Sequence, residues 1–316
     1  MTYQLIHQNC LDAMKEMENE SIDLMVTSPP YYNAREYSQW ENLEAYLLDM
    51  KQIFSEVFRV MKTDKTIVVN IGDVLGRTNQ NPASRRRIPL GAYFITMLES
   101  VGFTIQEDYI WYKGEVHSKR HLTGNPYPFQ KYPINCYEHI LVFSKQPTEE
   151  KQRLECPKCK NPKTYRKGKS SGVQLYECRN KSCKKPSNKG YYTFSRKTGL
   201  KRRYEKPENK IDKDTLTLWR KDVAHFPTTM SCRKTKHNQN GHTAPFPERI
   251  PEMAIKFYSG VGDTVVDIFS GSATTGVVAL KLNRNYIGME IHKEYIELSE
   301  QRLDATMKQL AESEGV

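Results

Sequence analysis

Short apolar runs alternate with amphipathic stretches over residues 1–145 and again from residue 247 onward. The runs Ile22–Thr27 (IDLMVT) and Thr66–Ile71 (TIVVNI) predict buried strands, and Leu43–Met61 between them carries apolar residues at helical spacing. Apolar strands separated by helices are typical of a mostly parallel sheet that helices cover on both faces. The sequence therefore predicts an α/β fold. Its further predicted strands are Ile105–Tyr112, Glu138–Ser144, Thr264–Ile268 and Asn285–Met289, and its further predicted helices are Leu90–Ser100, Pro247–Tyr258, Thr275–Leu282 and Glu294–Glu312.

This periodicity disappears between Lys145 and about residue 210, where Lys, Arg, Gly, Pro and Ser dominate. Such a composition indicates an inserted module rather than a part of the sheet. The two flanking α/β portions are each short for an independent domain. We therefore expect residues 1–145 and 216–316 to complete one sheet, with residues 146–215 standing outside it.

The chain has a net charge of +11, and this charge is unevenly distributed. Residues 151–210 contain 20 Lys and Arg against 4 Asp and Glu, so the rest of the chain is mildly acidic. A basic module on an acidic body indicates a polyanionic partner such as nucleic acid. The alternative is a solvated charged face or a disordered basic insert. Arg85–Arg87 form a second basic run, predicted to be a loop, for which phosphate contact and simple solvation are both open.

The sequence argues against a membrane or secreted protein. No apolar run approaches the roughly 18 to 20 residues that a membrane span needs. The N-terminal segment Met1–Asn9 also lacks the charged and then apolar pattern of a signal peptide. We therefore expect a soluble, cytoplasmic protein without a membrane partner.

Four of the seven cysteines form one cluster, in which Cys156-x2-Cys159 and Cys178-x4-Cys183 are separated by 18 residues. In a reducing compartment such a cluster predicts a metal site rather than disulfides. The pattern resembles a zinc ribbon or knuckle, because four thiolates can complete a tetrahedral structural Zn²⁺ site. The second spacing is wider than the usual two residues, and the alternative is four cysteines in a flexible insert. Zinc would order a segment that has few apolar residues to bury.

A glycine-containing turn joins a predicted strand to a helix within Val265–Gly276 (VVDIFSGSATTG), and Glu290 closes the next strand 19 residues after Gly271. Backbone amides in such a turn can approach a ligand closely, and the helix N-terminus adds a partial positive charge. A carboxylate at position 290 can accept hydrogen bonds from ribose hydroxyls. A dinucleotide site would prefer G-x-G-x-x-G, and Ala273 stands where the middle glycine would be. The alternative is a tight turn that binds no ligand.

The segment Thr27–Tyr32 (TSPPYY) follows the first of the predicted strands. Its two prolines fix φ and remove two N–H donors, so the loop is stiff. Because the loop stands at the carboxyl end of a strand in a parallel sheet, we expect it to face the ligand crevice. An exocyclic base amine is a poor nucleophile, because its lone pair is delocalised into the ring. The Ser28 hydroxyl and the Pro29 carbonyl could accept its hydrogens, while Tyr31 offers a face for stacking an unstacked base. The alternative is an ordinary turn with an exposed aromatic residue.

With both motifs in this order, the chain resembles the beta class of DNA amino-methyltransferases, in which the catalytic loop precedes the cofactor loop. The resemblance covers nearly everything except Lys145 to about Thr215. It implies a Rossmann-like methyltransferase sheet, S-adenosylmethionine as cofactor and duplex DNA as substrate, with base flipping. It also implies target recognition by the middle region, and a cognate restriction endonuclease is a partner that such enzymes can have. The further matching segments are Gln8–Leu11 beside the cofactor adenine, Gly102–Lys113 and Tyr137–Lys145 as later strands, and His242–Pro247 and Asp267–Gly276 around the methionine part.

In this family, Ser-Pro-Pro-Tyr is usually associated with N4 of cytosine, and Asp- or Asn-Pro-Pro-Tyr with N6 of adenine. Ser28 therefore favours cytosine, and N6 of adenine stays as the alternative. Carbon-5 methylation is disfavoured, because no Pro-Cys pair occupies the catalytic position. A non-catalytic zinc-ribbon protein that binds nucleic acid is a rival from another class.

The resemblance and the cysteine pattern together imply three sets of residues. Asn9 departs from the aspartate common in the family, and Ala273 replaces a glycine, so contacts at these two positions are less secure. The catalytic set is Ser28, Pro29, Pro30 and Tyr31; the cofactor set is Asn9, Cys10, Phe246, Asp267, Phe269, Ser270, Gly271, Ser272, Thr274, Thr275 and Glu290; the zinc set is Cys156, Cys159, Cys178 and Cys183.

Overall fold

The chain divides into two compact units, Met1–Lys145 with Ile211–Val316, and Gln146–Lys210. The second unit thus ends before residue 215, the boundary expected from the sequence. The structure is a computed structural model, and it describes residues 1–34, 39–78, 81–114, 136–146, 155–161, 163–170, 173–183, 191–195, 211–226 and 246–314. Of the segment His242–Pro247, residues 242–245 lie outside the described ranges.

A sheet of eight strands forms the first unit in its described part. The strands, numbered along the whole chain, are β1 (Tyr3–His7), β2 (Ile22–Thr27), β3 (Met61–Ile71), β4 (Val74–Thr78), β5 (Asn81–Ile88), β6 (Thr104–Tyr112), β7 (Tyr137–Ser144), β8 (Thr164–Ser170), β9 (Val173–Cys178), β10 (Tyr192–Ser195), β11 (Val223–His225), β12 (Thr264–Asp267) and β13 (Asn285–Glu290). The sheet order is β1-β13-β12-β2-β3-β7-β6-β11. Neighbouring strands pair in parallel, except that β7 runs antiparallel to both β3 and β6.

Helices cover both faces of this sheet. They are α1 (Cys10–Lys15), α2 (Leu43–Val60), α3 (Leu90–Val101), α4 (Lys213–Trp219), α5 (Arg249–Tyr258), α6 (Thr274–Lys281) and α7 (Lys293–Glu314). One apolar core lies between the sheet and α1, α2 and α3, and a second lies between the opposite face and α4, α5, α6 and α7. All six residues of β2 are buried, because this strand is covered on both faces. The α/β fold expected from the apolar runs is confirmed.

The helix layer changes sides between β2 and its neighbour β12. After β2 the chain enters α2 on one face, and after β12 it enters α6 on the other face. The loops that leave these two strands therefore diverge and open a crevice at the carboxyl ends. In open α/β sheets this position is where ligands bind.

Several short elements differ from the expectation. Arg85–Arg87 were predicted to be a loop, but they lie on β5, which pairs with β4 as a two-stranded ribbon. Regular structure resumes at α4 rather than at Pro247, and β11 then joins the sheet edge beside β6. β11 has only three residues and β4–β5 lack a clear alternation of apolar residues, so their pairing is set by tertiary contacts rather than by local pattern.

The second unit contains the three-stranded antiparallel sheet β10-β9-β8. Its small core consists of Tyr176 and Phe194 with three of the cysteines, Cys156, Cys178 and Cys183. So few apolar side chains give little burial free energy, which leaves this unit dependent on another source of order. Among the described residues, none of the helices in either unit has the length and apolarity needed to cross a membrane.

Candidate active site and cysteine cluster

The loops after β2 and β12 are joined by the buried carboxylate of Asp267. It accepts hydrogen bonds from the hydroxyls of Thr27, at 2.7 Å, and Thr275, at 2.8 Å. The backbone amide of Phe269 donates to the same carboxylate at 3.1 Å. Burial raises the pKa of Asp267 to about 6, and the nearby Glu290 charge adds to this, while the three donors oppose it. Asp267 thus fixes the end of β2, where Ser28 begins, to the turn that starts α6.

A cleft opens at the carboxyl ends of β1, β12 and β13. Four of its lining residues were predicted for the cofactor: Asn9, Cys10, Phe269 and Glu290. Gln8 lies in the segment expected beside the adenine. Ile268 lies in the segment Asp267–Gly276 expected around the cofactor, whereas Met289 and Ile291 were missed, although position 291 directly follows the acidic residue. Ile291 is 57% exposed at this rim, so it presents apolar surface to the cleft.

Glu290 lies in the wall of this cleft with both carboxylate oxygens engaged by backbone amides. Gly271 N donates to Oε2 at 3.0 Å, and His292 N donates to Oε1 at 2.8 Å. These bonds connect the turn after β12 to the end of β13, as the sequence pairing of Gly271 with Glu290 predicted. Each carboxylate oxygen keeps a second lone pair that can accept a hydroxyl of a bound ribose.

The turn between β12 and α6 is held mainly by contacts within the protein. Ser299 on α7 donates to the Gly271 carbonyl at 2.8 Å, and Arg302 donates to the carbonyl and the hydroxyl of Ser272. Ser270 shares a hydrogen bond of 2.8 Å with Tyr286. Ser272, Thr274 and Thr275 are buried, and Ser270 is too. These four residues shape the turn, and they are not among the described residues that line the cleft.

Two further predicted positions have clear structural roles. Asn9 caps α1, since its side chain accepts from Leu11 N at 2.9 Å, which is what an aspartate would also do there. Ala273 adopts a left-handed conformation with φ of 54° at the start of α6, where a glycine would be unstrained. Phe246 packs against the second core and is not one of the described cleft residues.

The Ser28-Pro29-Pro30-Tyr31 loop leaves β2 at the crevice. Pro29 is buried, and the Pro30 carbonyl accepts a hydrogen bond of 3.0 Å from Tyr46 on α2. The Tyr31 hydroxyl donates to Glu138 Oε2 at 2.9 Å. Burial raises the pKa of Tyr31 well above its usual range, the Glu138 charge adds to this, and a hydrogen bond with Ser28 opposes it. Tyr31 therefore stays a neutral hydroxyl, with Ser28 close to it.

Glu138 at the start of β7 is a residue of this site that the sequence analysis did not single out. Besides Tyr31, it accepts hydrogen bonds from Asn70, at 3.1 Å, and from Lys113. Gly72 lies against the edge of the Tyr31 ring. A Cβ atom at this position would be only 3.0 Å from Tyr31 Cε2 and 2.8 Å from Glu138 Cγ. The ring is thus held at its edge by Gly72 and at its hydroxyl by Glu138. The available signal was an acidic residue opening an otherwise apolar strand.

The four predicted zinc ligands of the second unit do come together. Their Sγ atoms all lie within 4.8 Å of one another, and the thiols of Cys156, Cys178 and Cys183 are buried. The Cys156–Cys183 and Cys159–Cys178 sulfur pairs are 3.6 Å and 3.7 Å apart. A tetrahedral site with Zn–S bonds of about 2.3 Å requires sulfur pairs about 3.8 Å apart. The four cysteines therefore fit one Zn²⁺ ion.

The fold is that of the S-adenosylmethionine-dependent DNA methyltransferases. The Thermus thermophilus protein TTHA0409, solved in complex with S-adenosyl-L-methionine, superposes with a TM-score of 0.64 at 20% identity, covering 96% of this chain and 94% of that one. The cytosine-N4-specific PvuII DNA methyltransferase superposes with a TM-score of 0.63 at 21% identity, covering 96% of this chain and 86% of that one.

The sequence identifies the family. The DNA methylase family model of the N6/N4 type matches residues 22–301, and the chain belongs to this family of DNA methyltransferases. The type II beta methyltransferase M.BslI of Bacillus sp. (strain NEB-606) is 32% identical over 304 residues, which are 95% of this chain. The chain spans only 27% of the length of that relative.

Proposed function

We propose that the chain transfers a methyl group from S-adenosylmethionine to the exocyclic N4 amine of cytosine in duplex DNA, after flipping the base out of the helix. The single observation that carries this proposal is the Thr27–Asp267 hydrogen bond, at 2.7 Å, which joins the amine-accepting loop to the cofactor turn. Methyl transfer needs the methyl donor and the amine side by side, and this bond holds the two loops at neighbouring strand ends.

In the proposed complex, the cofactor lies in the cleft lined by Asn9, Cys10, Phe269, Glu290 and Ile291. Glu290 would accept the ribose hydroxyls, while Ile291 and Phe269 provide apolar surface for the adenine. S-adenosylmethionine supplies an electrophilic methyl group on its sulfonium. The acceptors for the amine hydrogens are the Ser28 hydroxyl and the Pro29 carbonyl, and the Tyr31 ring gives the flipped base a stacking surface.

Cytosine is favoured because serine opens the catalytic motif, and a protein of the same fold is cytosine-N4-specific. N6 of adenine is the alternative, since the same acceptors can serve either amine. The four cysteines would hold a structural Zn²⁺ ion that orders residues 146–210, and this basic module would carry target recognition. The resemblance to a type II methyltransferase makes a cognate restriction endonuclease a proposed partner.

The test is incorporation of tritiated methyl groups from S-adenosylmethionine into plasmid DNA by the purified full chain. The proposal expects label in the DNA together with saturable cofactor binding in a calorimetric titration. A rival function, a zinc-containing protein that binds nucleic acid without catalysis, expects neither. Cofactor binding without any transfer to varied DNA sequences would contradict the assigned reaction.

A further inference from the structure

One face of the three-stranded sheet in the second unit carries two exposed tyrosines around an arginine. The Arg179 guanidinium carbon lies 4.3 Å from the ring centroid of Tyr165 and 5.8 Å from that of Tyr191. The tyrosines are 45% and 40% exposed. Two large aromatic side chains left in solvent on so small a unit are unusual, because such residues normally supply its core.

The strand register explains why these residues share one face. Tyr165 on β8 and Thr193 on β10 both pair with Glu177 on β9, so these three side chains stand in one row. Arg179 lies two residues after Glu177 and Tyr191 lies two residues before Thr193, so on these antiparallel segments both belong to the next row on the same side. The opposite face carries Tyr176 and Phe194, which are buried with the cysteines. In the described part of this unit, the tyrosines therefore divide into a core pair, Tyr176 and Tyr192, and an outward pair, Tyr165 and Tyr191.

Glu177 fixes the arginine between the rings. Its carboxylate accepts a hydrogen bond of 3.0 Å from Arg179 Nε and lies 3.3 Å from Lys167 Nζ. Among the described residues the guanidinium bonds only Glu177, through Nε, and its two Nη groups are the remaining donors.

We propose that Tyr165, Arg179 and Tyr191 form a phosphate clamp that grips the backbone of duplex DNA. This inference rests on the proposed function, since it takes DNA as the partner. The two tyrosine hydroxyls and the guanidinium edge are donors of the kinds that bind phosphate oxygens. The aromatic rings and Glu177 hold the guanidinium in place before DNA arrives, so little side-chain entropy is lost on binding. The surrounding segment supplies the complementary charge, with 20 Lys and Arg against 4 acidic residues in residues 151–210.

The experiment measures binding of the full, zinc-loaded chain to a fluorescent duplex of random sequence, by anisotropy over a range of KCl concentrations. Random DNA is the appropriate probe, because a phosphate contact is independent of sequence. We expect Arg179→Ala to weaken binding roughly tenfold at low salt. The slope of log K against log salt should also fall, by about 0.9 for one lost phosphate contact.

Matched variants separate the clamp from general charge. Arg179→Lys keeps the charge but loses the planar stack, so it should bind DNA nearly as weakly as the alanine variant. Tyr165→Ala should also weaken binding, whereas Tyr165→Phe should keep the stack and lose only a hydroxyl contact. Lys160→Ala removes the same charge from the exposed cysteine-containing turn and should have the smaller effect. Zinc content and melting temperature would be measured for every variant.

Two results would overturn the clamp. One is wild-type affinity and salt slope in Arg179→Ala with its zinc retained. The other is an equal loss in Lys160→Ala and Arg179→Ala, which would reduce the effect to net charge. A failure of the proposed function looks different, because the wild-type chain would then transfer no methyl group to DNA.

Discussion

Ser28 stands where a fully buried strand ends at the crevice, and its hydroxyl is the proposed acceptor for one hydrogen of the target amine. We expect Ser28→Ala to lower the rate of methyl transfer by about 100-fold or more, as loss of one preorganised polar group at a reacting centre typically does. Cofactor affinity should not change, because Ser28 is not among the described residues lining the cleft. The readouts are single-turnover transfer and calorimetric titration with S-adenosylmethionine.

Ser21→Ala is the matched control for this variant, since Ser21 precedes the other end of β2 and its hydroxyl donates only to the Glu18 carbonyl. It should keep wild-type turnover. Turnover of Ser28→Ala equal to that of Ser21→Ala would remove the catalytic role assigned to the serine.

Glu138 is expected to act through Tyr31. Glu138→Gln keeps the size of the side chain but loses the charge that attracts Lys113, so the Tyr31 hydroxyl is held less firmly. We expect roughly tenfold slower transfer, with unchanged cofactor affinity and weaker quenching of a fluorescent 2-aminopurine placed at the target position. Asp108→Asn is the control, because it removes a carboxylate charge that faces the neighbouring His139 rather than Tyr31. Equal losses in both variants would show a general effect on β7.

Asp267 gives a prediction about pH. Its pKa is raised from 3.8 to about 6 by burial, so the folded state holds this proton more tightly than the unfolded state does. The stabilisation from the bound proton is complete below about pH 4 and is lost as pH rises through about 6. Relative to wild type, Asp267→Asn should therefore gain stability between pH 4 and pH 7, by up to about 3 kcal/mol. Urea unfolding at several pH values measures this difference, and a constant difference would contradict it.

At the scale of single elements, the cysteine cluster carries the clearest test. Removing zinc with a chelator should unfold the sheet β8–β10, because four thiolates would be left in a unit with a very small apolar core. The cofactor cleft should survive, since its lining residues all belong to the first unit. Elemental analysis together with amide exchange would follow both effects. Freshly purified protein that contains no zinc but keeps β8–β10 ordered would show that this unit needs no structural metal ion.

The elements that were predictable from the sequence are those with strong local patterns. β2 is buried throughout and β3 is buried from Ile67 to Ile71, so both show runs of mainly apolar residues. The helix α3 ends at Gly102, whose φ of 117° suits glycine. The ribbon β4–β5 and the edge strand β11 could not be predicted in this way. β11 is only three residues long and β4–β5 show no clear alternation of apolar residues, so pairing with a partner strand rather than local preference decides their conformation.

The residues of the candidate site also divide into those that the sequence predicts and those that only the fold brings together. Motifs whose residues lie close together along the chain, such as Ser28–Tyr31 or Gly271 with Glu290, are visible in the sequence as spacing. The contact of Tyr31 with Glu138 spans 107 residues, and that of Asn70 with Glu138 spans 68. Contacts of this range depend on strand order, which one sequence does not show. Ser270 and Thr275 belong to the residue set predicted for the cofactor, and their hydroxyls make hydrogen bonds to Tyr286 and Asp267 that the sequence did not indicate.

For the whole molecule, the order of motifs along the chain and the order of strands in the sheet lead to the same arrangement. The loop proposed for catalysis follows β2 and the turn proposed for the cofactor follows β12, far apart in sequence, yet β2 and β12 are neighbours in the sheet. The basic segment is inserted after β7, so it adds a charged unit without interrupting the strands that carry the two loops. We propose that the loops of the sheet carry out methyl transfer and that the inserted unit binds the DNA backbone.

Mass spectrometry of nucleosides tests most directly the proposal that this chain methylates the N4 amine of cytosine. Genomic DNA would be digested from cells that express the wild-type chain and from cells that express Ser28→Ala. We expect N4-methylcytosine above background in the first sample and not in the second. N6-methyladenine in its place would contradict the assignment of the base, and neither modified nucleoside from an expressed, folded chain would contradict the proposed reaction itself.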